Sequence, residues 1–315
     1  MNLKEKKVRT HLRKAFTMIE LVFVIVIMAI LAKFGVEFLA QAYNNFIFSK
    51  INNELQSNSA SSVEFISSRL QHRIKESSIM RNTTAGYPGT PQSLQNSVSD
   101  VNATVLEWIS ADIAGFRGDT LPYWSGIIDL DDSNATTLVS KETNTTAINN
   151  LINSLSDGNS GINNSAIYFI GSSPMTTTPL QPETAWGYDV NITDQNHSMH
   201  PITLTGQINQ FIPDSGAINF SGVGIWEYYK LAWTAYAVEL RDYNNTSNTG
   251  TLTLWYDYQP WEGEVYNTHG RDSIIMENVS SFQFRSIGSL IKIQVCTKSL
   301  LTNEEYSICK EKTVF

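Results

Sequence analysis

Charge is scarce in this chain. Charged residues make up 17% of its 315 residues, against 42% hydrophobic. That excludes an acidic disordered tail and a coiled coil, both of which need far more charge. Net positive charge is absent too: the sum is −8 and the pI ≈ 5.2. The chain as a whole lacks the cationic footprint that phosphate binding requires, so no nucleic-acid partner is expected. No phosphate loop, GxGxxG or GxSxG pattern occurs, and no other catalytic constellation stands out. No enzymatic activity, cofactor or metal is therefore expected. Proline is missing before Pro88, and Gly35 is the one glycine between Phe16 and Ser78. Nothing local interrupts a helix over that stretch.

What is present is unevenly placed. The first 15 residues hold Lys4, Lys6, Lys7, Arg9, Arg13 and Lys14 with one acid, Glu5, a net of +5 that leaves −13 on the rest. A basic head on an acidic body marks a targeting segment. It is followed by an unbroken apolar run of 12, Leu21–Ala32, within a mostly apolar stretch of 25, Phe16–Ala40, interrupted by Glu20, Lys33 and Glu37. At 1.5 Å per residue, 25 helical residues reach roughly 37 Å, enough to cross a bilayer. The positive flank keeps the N-terminus cytoplasmic and exports the body.

A secretory signal peptide would find its small-residue site at Ala40-Gln41-Ala42, ten residues past the apolar run. A plain signal anchor is the second reading. Neither accounts for Glu20, because a carboxylate within hydrocarbon costs about 2.5–3.5 kcal/mol. The run Lys14-Ala15-Phe16-Thr17-Met18-Ile19-Glu20-Leu21 resembles the type IV prepilin signature, which the pseudopilins of type II secretion share. The resemblance covers about 25 residues and implies cleavage between Ala15 and Phe16 by prepilin peptidase, N-methylation of Phe16, and Glu20 as fifth mature residue. Ala15 stands where the family usually has Gly. The resemblance further implies that Glu20 neutralises a neighbouring subunit's N-terminal amine during assembly. The implied partners are other pilins or pseudopilins, through the helix, and an inner-membrane assembly platform. The implied location is the inner membrane with a periplasmic head, then the filament.

Beyond the membrane segment, Ile51, Leu55, Val63, Ile66, Leu70 and Ile74 are spaced 4, 8, 3, 4 and 4, with Ser59 in the gap. That is one amphipathic stripe, and it predicts a helix of about 63 residues, near 95 Å long, reaching Ser78. The expected fold class is α+β: a long N-terminal helix packed on an antiparallel β-sheet head. The expected division is a leader at 1–15, a transmembrane or filament-core helix half at 16–41, an amphipathic half at 42–80 and a β-rich head at 81–315.

Within the head, Leu231–Arg241 and Thr251–Tyr258 alternate and predict an antiparallel hairpin across Asp242–Gly250. Val279–Phe284 and Leu290–Thr297 predict a second pair. Val105–Ile109 and Gly126–Leu130 are expected as short elements, and the Asn/Ser/Thr-rich stretch 132–165 as a long surface loop or loosely packed insertion. The block Ile275–Phe284, followed by an apolar strand, is similar to the C-terminal part of J-type minor pseudopilins and their pilus counterparts, which ranks that subtype first; the size of the chain, large beside a typical major pilin, points to a minor subunit that initiates or caps assembly. A pilus-tip adhesin or DNA-capture subunit on the same anchor is the alternative.

Cys296 and Cys309 are the only cysteines; in an exported domain they are expected to pair. Six segments carry an acid two residues before an Asn-x-Ser/Thr triplet, at Asn102, Asn134, Asn144, Asn191, Asn196 and Asn244. They resemble the extended acceptor of bacterial periplasmic oligosaccharyltransferases and are candidate glycosylation positions. His197 and His200 lack further ligands. Asp129, Asp131 and Asp132 begin like a calcium loop, but Asn134 and Ser140 stand where an EF-hand needs Gly and an acid.

Overall fold

The computed structural model describes residues 17–94, 103–171, 199–214, 220, 224–299 and 306–315. The fold is α+β, a long N-terminal helix and antiparallel β-sheets. The chain divides into two compact units, Met1–Glu54 and Leu55–Phe315. Helix α1 runs Met18–Leu70, 53 residues. Its first part is rich in β-branched Val and Ile, which cost a helix in water. In an apolar medium a single segment that must satisfy its own backbone has only the helix available.

In chain order the strands are β1 (Ile79–Arg81), β2 (Pro91–Ser93), β3 (Val105–Ser110), β4 (Asp129–Asn134), β5 (Thr137–Val139), β6 (Ala166–Phe169), β7 (Met199–Leu204), β8 (Gln210–Pro213), β9 (Tyr229–Ala232), β10 (Thr234–Asn244), β11 (Thr249–Tyr256), β12 (Arg271–Ile287), β13 (Leu290–Lys298) and β14 (Ser307–Val314). Among the described residues they form an eight-stranded sheet, β14-β13-β12-β11-β10-β3-β1-β2, and a six-stranded one, β4-β5-β8-β7-β6-β9. Only Trp233 separates β9 from β10, so the chain changes sheets there almost without leaving extended conformation. A buried cluster joins the two sheets: Ile79, Val105 and Ile109 of the larger meet Ala166, Tyr168 and Ala232 of the smaller.

The hairpin expected around 242–250 is present as β10 and β11, with Ala237 opposite Trp255 and Leu240 opposite Leu252. Its loop is shorter than expected, because β10 continues to Asn244 and β11 starts at Thr249. The second expected pair is β12 and β13, with Phe284 opposite Ile293.

Val63, Ile66 and Leu70 of α1 lie in one buried cluster with Leu106, Trp108, Val238, Leu252, Phe282 and Ile293. The gap in the apolar stripe is filled by serines. Ser59, Ser62 and Ser67 are buried and return their hydroxyls to the carbonyls of Leu55, Asn58 and Val63 at 2.7, 2.8 and 2.6 Å. Ser59 also meets Thr297 Oγ1 of β13 at 3.0 Å. Small side chains that satisfy themselves let helix and strand approach without an orphaned polar group.

The helix stops eight residues before the predicted Ser78. Ile74, the last member of the stripe, is off the helix: its N–H donates to Ile109 O at 2.9 Å. Arg73 ends the helix by donating to Leu70 O at 2.9 Å and reaching Ser289 O at 2.7 Å. A cation on the last carbonyls complements the helix dipole, and the backbone is then free to pair with β3. Ile74 is fully buried all the same; periodicity identified a core position but not the element carrying it.

Residues 132–165 are not a loose insertion. They contain β5 and α3 (Thr145–Leu155), whose Ile148 and Ile152 are fully buried beside Leu138 and Ile162. The polar residues that suggested a loop perform capping. Asn144 caps α3, accepting from Ala147 N at 3.0 Å, and Asn149 Oδ1 accepts from Ile162 N at 3.1 Å. Asn is favoured in both roles because its short amide competes with backbone partners.

Candidate membrane and assembly segment

Every described residue from 17 to 46 is exposed. They include Leu21, Phe23, Ile25, Phe34, Phe38 and Leu39, each more than half exposed. Soluble monomers do not leave so continuous an apolar surface uncovered. The helix has a window of mean hydropathy 2.5 and is a candidate membrane span by length and composition. Lys33 and Glu37 form an i,i+4 ion pair at 3.9 Å, so the two charges in the middle of the segment partly neutralise each other.

Glu20 lies in the first turn of α1. There the unpaired N–H groups carry partial positive charge, and a carboxylate gains about 0.3–1 kcal/mol. Glu20 thus complements the positive end of α1. The expected cleavage pair, Ala15 and Phe16, lies outside the described residues.

The remaining expected positions lie in the head. Cys296 and Cys309 form a disulfide, directly opposite each other on β13 and β14. The bridge therefore fastens an edge strand. Asn134, Asn144 and Asn244 are exposed, whereas Asn102, Asn191 and Asn196 lie outside the described residues, as does His197. His200 is buried in β7 and stacks on Phe169, ring centroids 5.4 Å apart. The acids that resembled a calcium loop hold a lysine: Lys141 Nζ pairs with Asp129 and, at 3.0 Å, with Asp132. Its hydrogen bond to Asp129 heads the causes that hold that carboxyl below its usual value. Among the described residues, no group of three or more His, Cys, Asp or Glu could hold a metal.

One cluster escaped the sequence reading. Arg81 and Glu107 form a buried ion pair between β1 and β3. Arg81 also donates to Gly89 O at 2.9 Å, and Tyr258 donates its hydroxyl to Glu107 at 3.0 Å. Next to it Glu239 accepts from Trp255 Nε1 at 3.1 Å and from Tyr87 at 3.3 Å. The available signal was an acid inside an apolar alternating strand, Glu107 in VLEWI and Glu239 in AVELR. Such an acid needs an internal partner. These carboxylates are spent on donors within the core.

Burial pushes the Glu239 carboxyl above its ordinary value of 4.5, against the pull of Trp255 and Arg241. A raised folded value means that the contribution to stability is full below pH 4.5 and is lost as pH rises through the folded value. The urea midpoint of the head is therefore expected to fall as pH is raised from 4 toward neutrality. Glu239→Gln should make that slope shallower; an unchanged slope would exclude Glu239 as its source.

No family model matches the chain, and no curated protein or solved structure matches it either.

Proposed function

We propose that the chain is a minor subunit of a type IV pilus or type II secretion pseudopilus, a structural protein that helps initiate or cap filament assembly. One observation carries the reading. An exposed apolar helix with a single carboxylate, Glu20, in its first turn continues unbroken to Leu70, whose side chain belongs to the head's core.

In this reading the leader is cut before Phe16, which creates an ammonium at the helix end. Before assembly the apolar segment lies in the inner membrane, and the head lies in the periplasm. During assembly the segment exchanges lipid for the helices of other subunits. Glu20 then pairs with the ammonium of a neighbour, which fixes register, since an unpaired carboxylate in an apolar medium is strongly disfavoured. Prepilin peptidase, other pilins or pseudopilins, and a membrane assembly platform are the partners. The experiment that tests this reads the first residue of the mature chain.

A further inference from the structure

We propose that Asn244 is an acceptor for N-linked oligosaccharide on the folded head, that Asn134 is a weaker second acceptor, and that Asn144 is closed. The inference requires only that the head be exported. It stands or falls separately from filament assembly.

An Asn-x-Ser/Thr site is usable on a folded protein when its backbone can leave the surface and enter an enzyme cleft. Its acid at −2 and hydroxyl at +2 must also be uncommitted. At Asn244 all five residues Asp242–Thr246 are exposed. The β10–β11 register shifts between Arg241 and Asn244, so Asp242 and Tyr243 have no partner across the ladder. Asp242 has a positive φ of 52° and, among the described residues, makes no ion pair. Asn244 Oδ1 accepts from Thr246 N at 2.8 Å, which folds the residue at +2 back over the amide. Asn244 is paired with Thr249 as the last rung of the ladder, so drawing the segment out at the hairpin tip opens that terminal pair and leaves the pairs from Arg241 inward intact.

Asn134 also sits at an exposed hairpin tip, but among the described residues its amide oxygen holds three donors where that of Asn244 holds one. Asn134 Oδ1 accepts from Thr136 N, Thr136 Oγ1 and Thr137 N at 2.9, 2.8 and 3.0 Å, and its acid at −2, Asp132, is paired with Lys141. Asn144 is locked. Its neighbours Thr143 and Thr145 are buried, its N–H donates to Tyr123 O at 2.7 Å, and its side chain caps α3. Presenting it to an enzyme would uncap a packed helix.

The reaction joins Asn244 Nδ2 to the anomeric carbon of a polyprenyl-diphosphate-linked oligosaccharide. The bond from that carbon to the diphosphate oxygen breaks, the polyprenyl diphosphate leaves with the bonding electrons, and one amide proton passes to the enzyme's base.

The test uses the full chain, purified folded in detergent, with a bacterial oligosaccharyltransferase and its lipid-linked oligosaccharide, read by glycopeptide mass spectrometry. Sugar is expected on Asn244, with occupancy at Asn144 at least about tenfold lower, a ratio that needs only about 1.4 kcal/mol of local opening cost. A synthetic peptide of residues 140–148 should accept sugar freely, which separates conformation from sequence. Asp242→Asn should remove most of the Asn244 signal. Asn245, which begins a second triplet with Tyr243 at −2, should stay bare. An unmodified Asn244 beside a modified peptide would overturn the proposal. Equal occupancy at Asn144 and Asn244 in the folded chain, or sugar on Asn245, would do the same.

Discussion

Arg81→Met should lower the stability of the head by about 3–5 kcal/mol, the usual cost of breaking a buried ion pair from one side. For a domain of this size that is a fall in Tm of about 6–20 °C. The cause lies in what remains. Glu107 is fully buried, and without the guanidinium its charge would be balanced only by the Tyr258 hydroxyl. Desolvation, which already heads the forces raising its pKa, would then act almost unopposed. The carboxyl would take up a proton, so the deficit should shrink as pH is lowered toward 4. Arg81→Met combined with Glu107→Leu should recover most of the loss, because an apolar pair of similar volume avoids both desolvation costs. Differential scanning calorimetry of the single and double variants decides it. A single variant within 1 °C of the parent, or a double variant worse than the single, would contradict the assignment.

Replacing Cys296 and Cys309 by Ala and Val should remove about 3 kcal/mol, the chain-entropy value for a loop closed across a separation of 13 residues. The expected fall in Tm is about 6–12 °C. The loss should also be local first. β14 is an edge strand, bound on one side to β13 in eight register pairs and contributing Val314 to the main cluster. Without the bridge, its amides should exchange with solvent well before those of β10 and β11 in the sheet interior. Hydrogen-exchange mass spectrometry reads this directly. Uniform loss of protection across the larger sheet would show instead that β14 unfolds only with the whole head.

The parts of the fold legible in the sequence were those governed by one local period. The β10–β11 and β12–β13 hairpins are clean alternations of aromatic and β-branched residues, and the structure pairs them. The long exposed apolar helix was legible from apolar length alone, and the cysteine pair from there being two cysteines in a chain expected to be exported. The helix end was not. Ile74 keeps the helical spacing, and what removes it from α1 is a bond to Ile109, a partner far away in sequence. Residues 132–165 were misread for a related reason: Asn and Thr signal loops by composition, yet Asn144 and Asn149 are caps and braces around Ile148 and Ile152. The buried Arg81–Glu107 pair was visible only as an acid in the wrong place, since nothing in VLEWI says which cation crosses to meet it. For the candidate assembly site, the sequence supplied the residues and the helix supplied the first-turn position of Glu20.

The most direct test of the filament-subunit reading is the N-terminal peptide and intact mass of the protein taken from its own host's membranes. The reading predicts a chain that starts at Phe16, methylated on its amine, with residues 1–15 gone. A chain starting at Tyr43 would make it a secreted protein released from a signal peptide. One still carrying Met1 would make it an uncleaved anchor. Either result would contradict assembly through the Glu20 helix end.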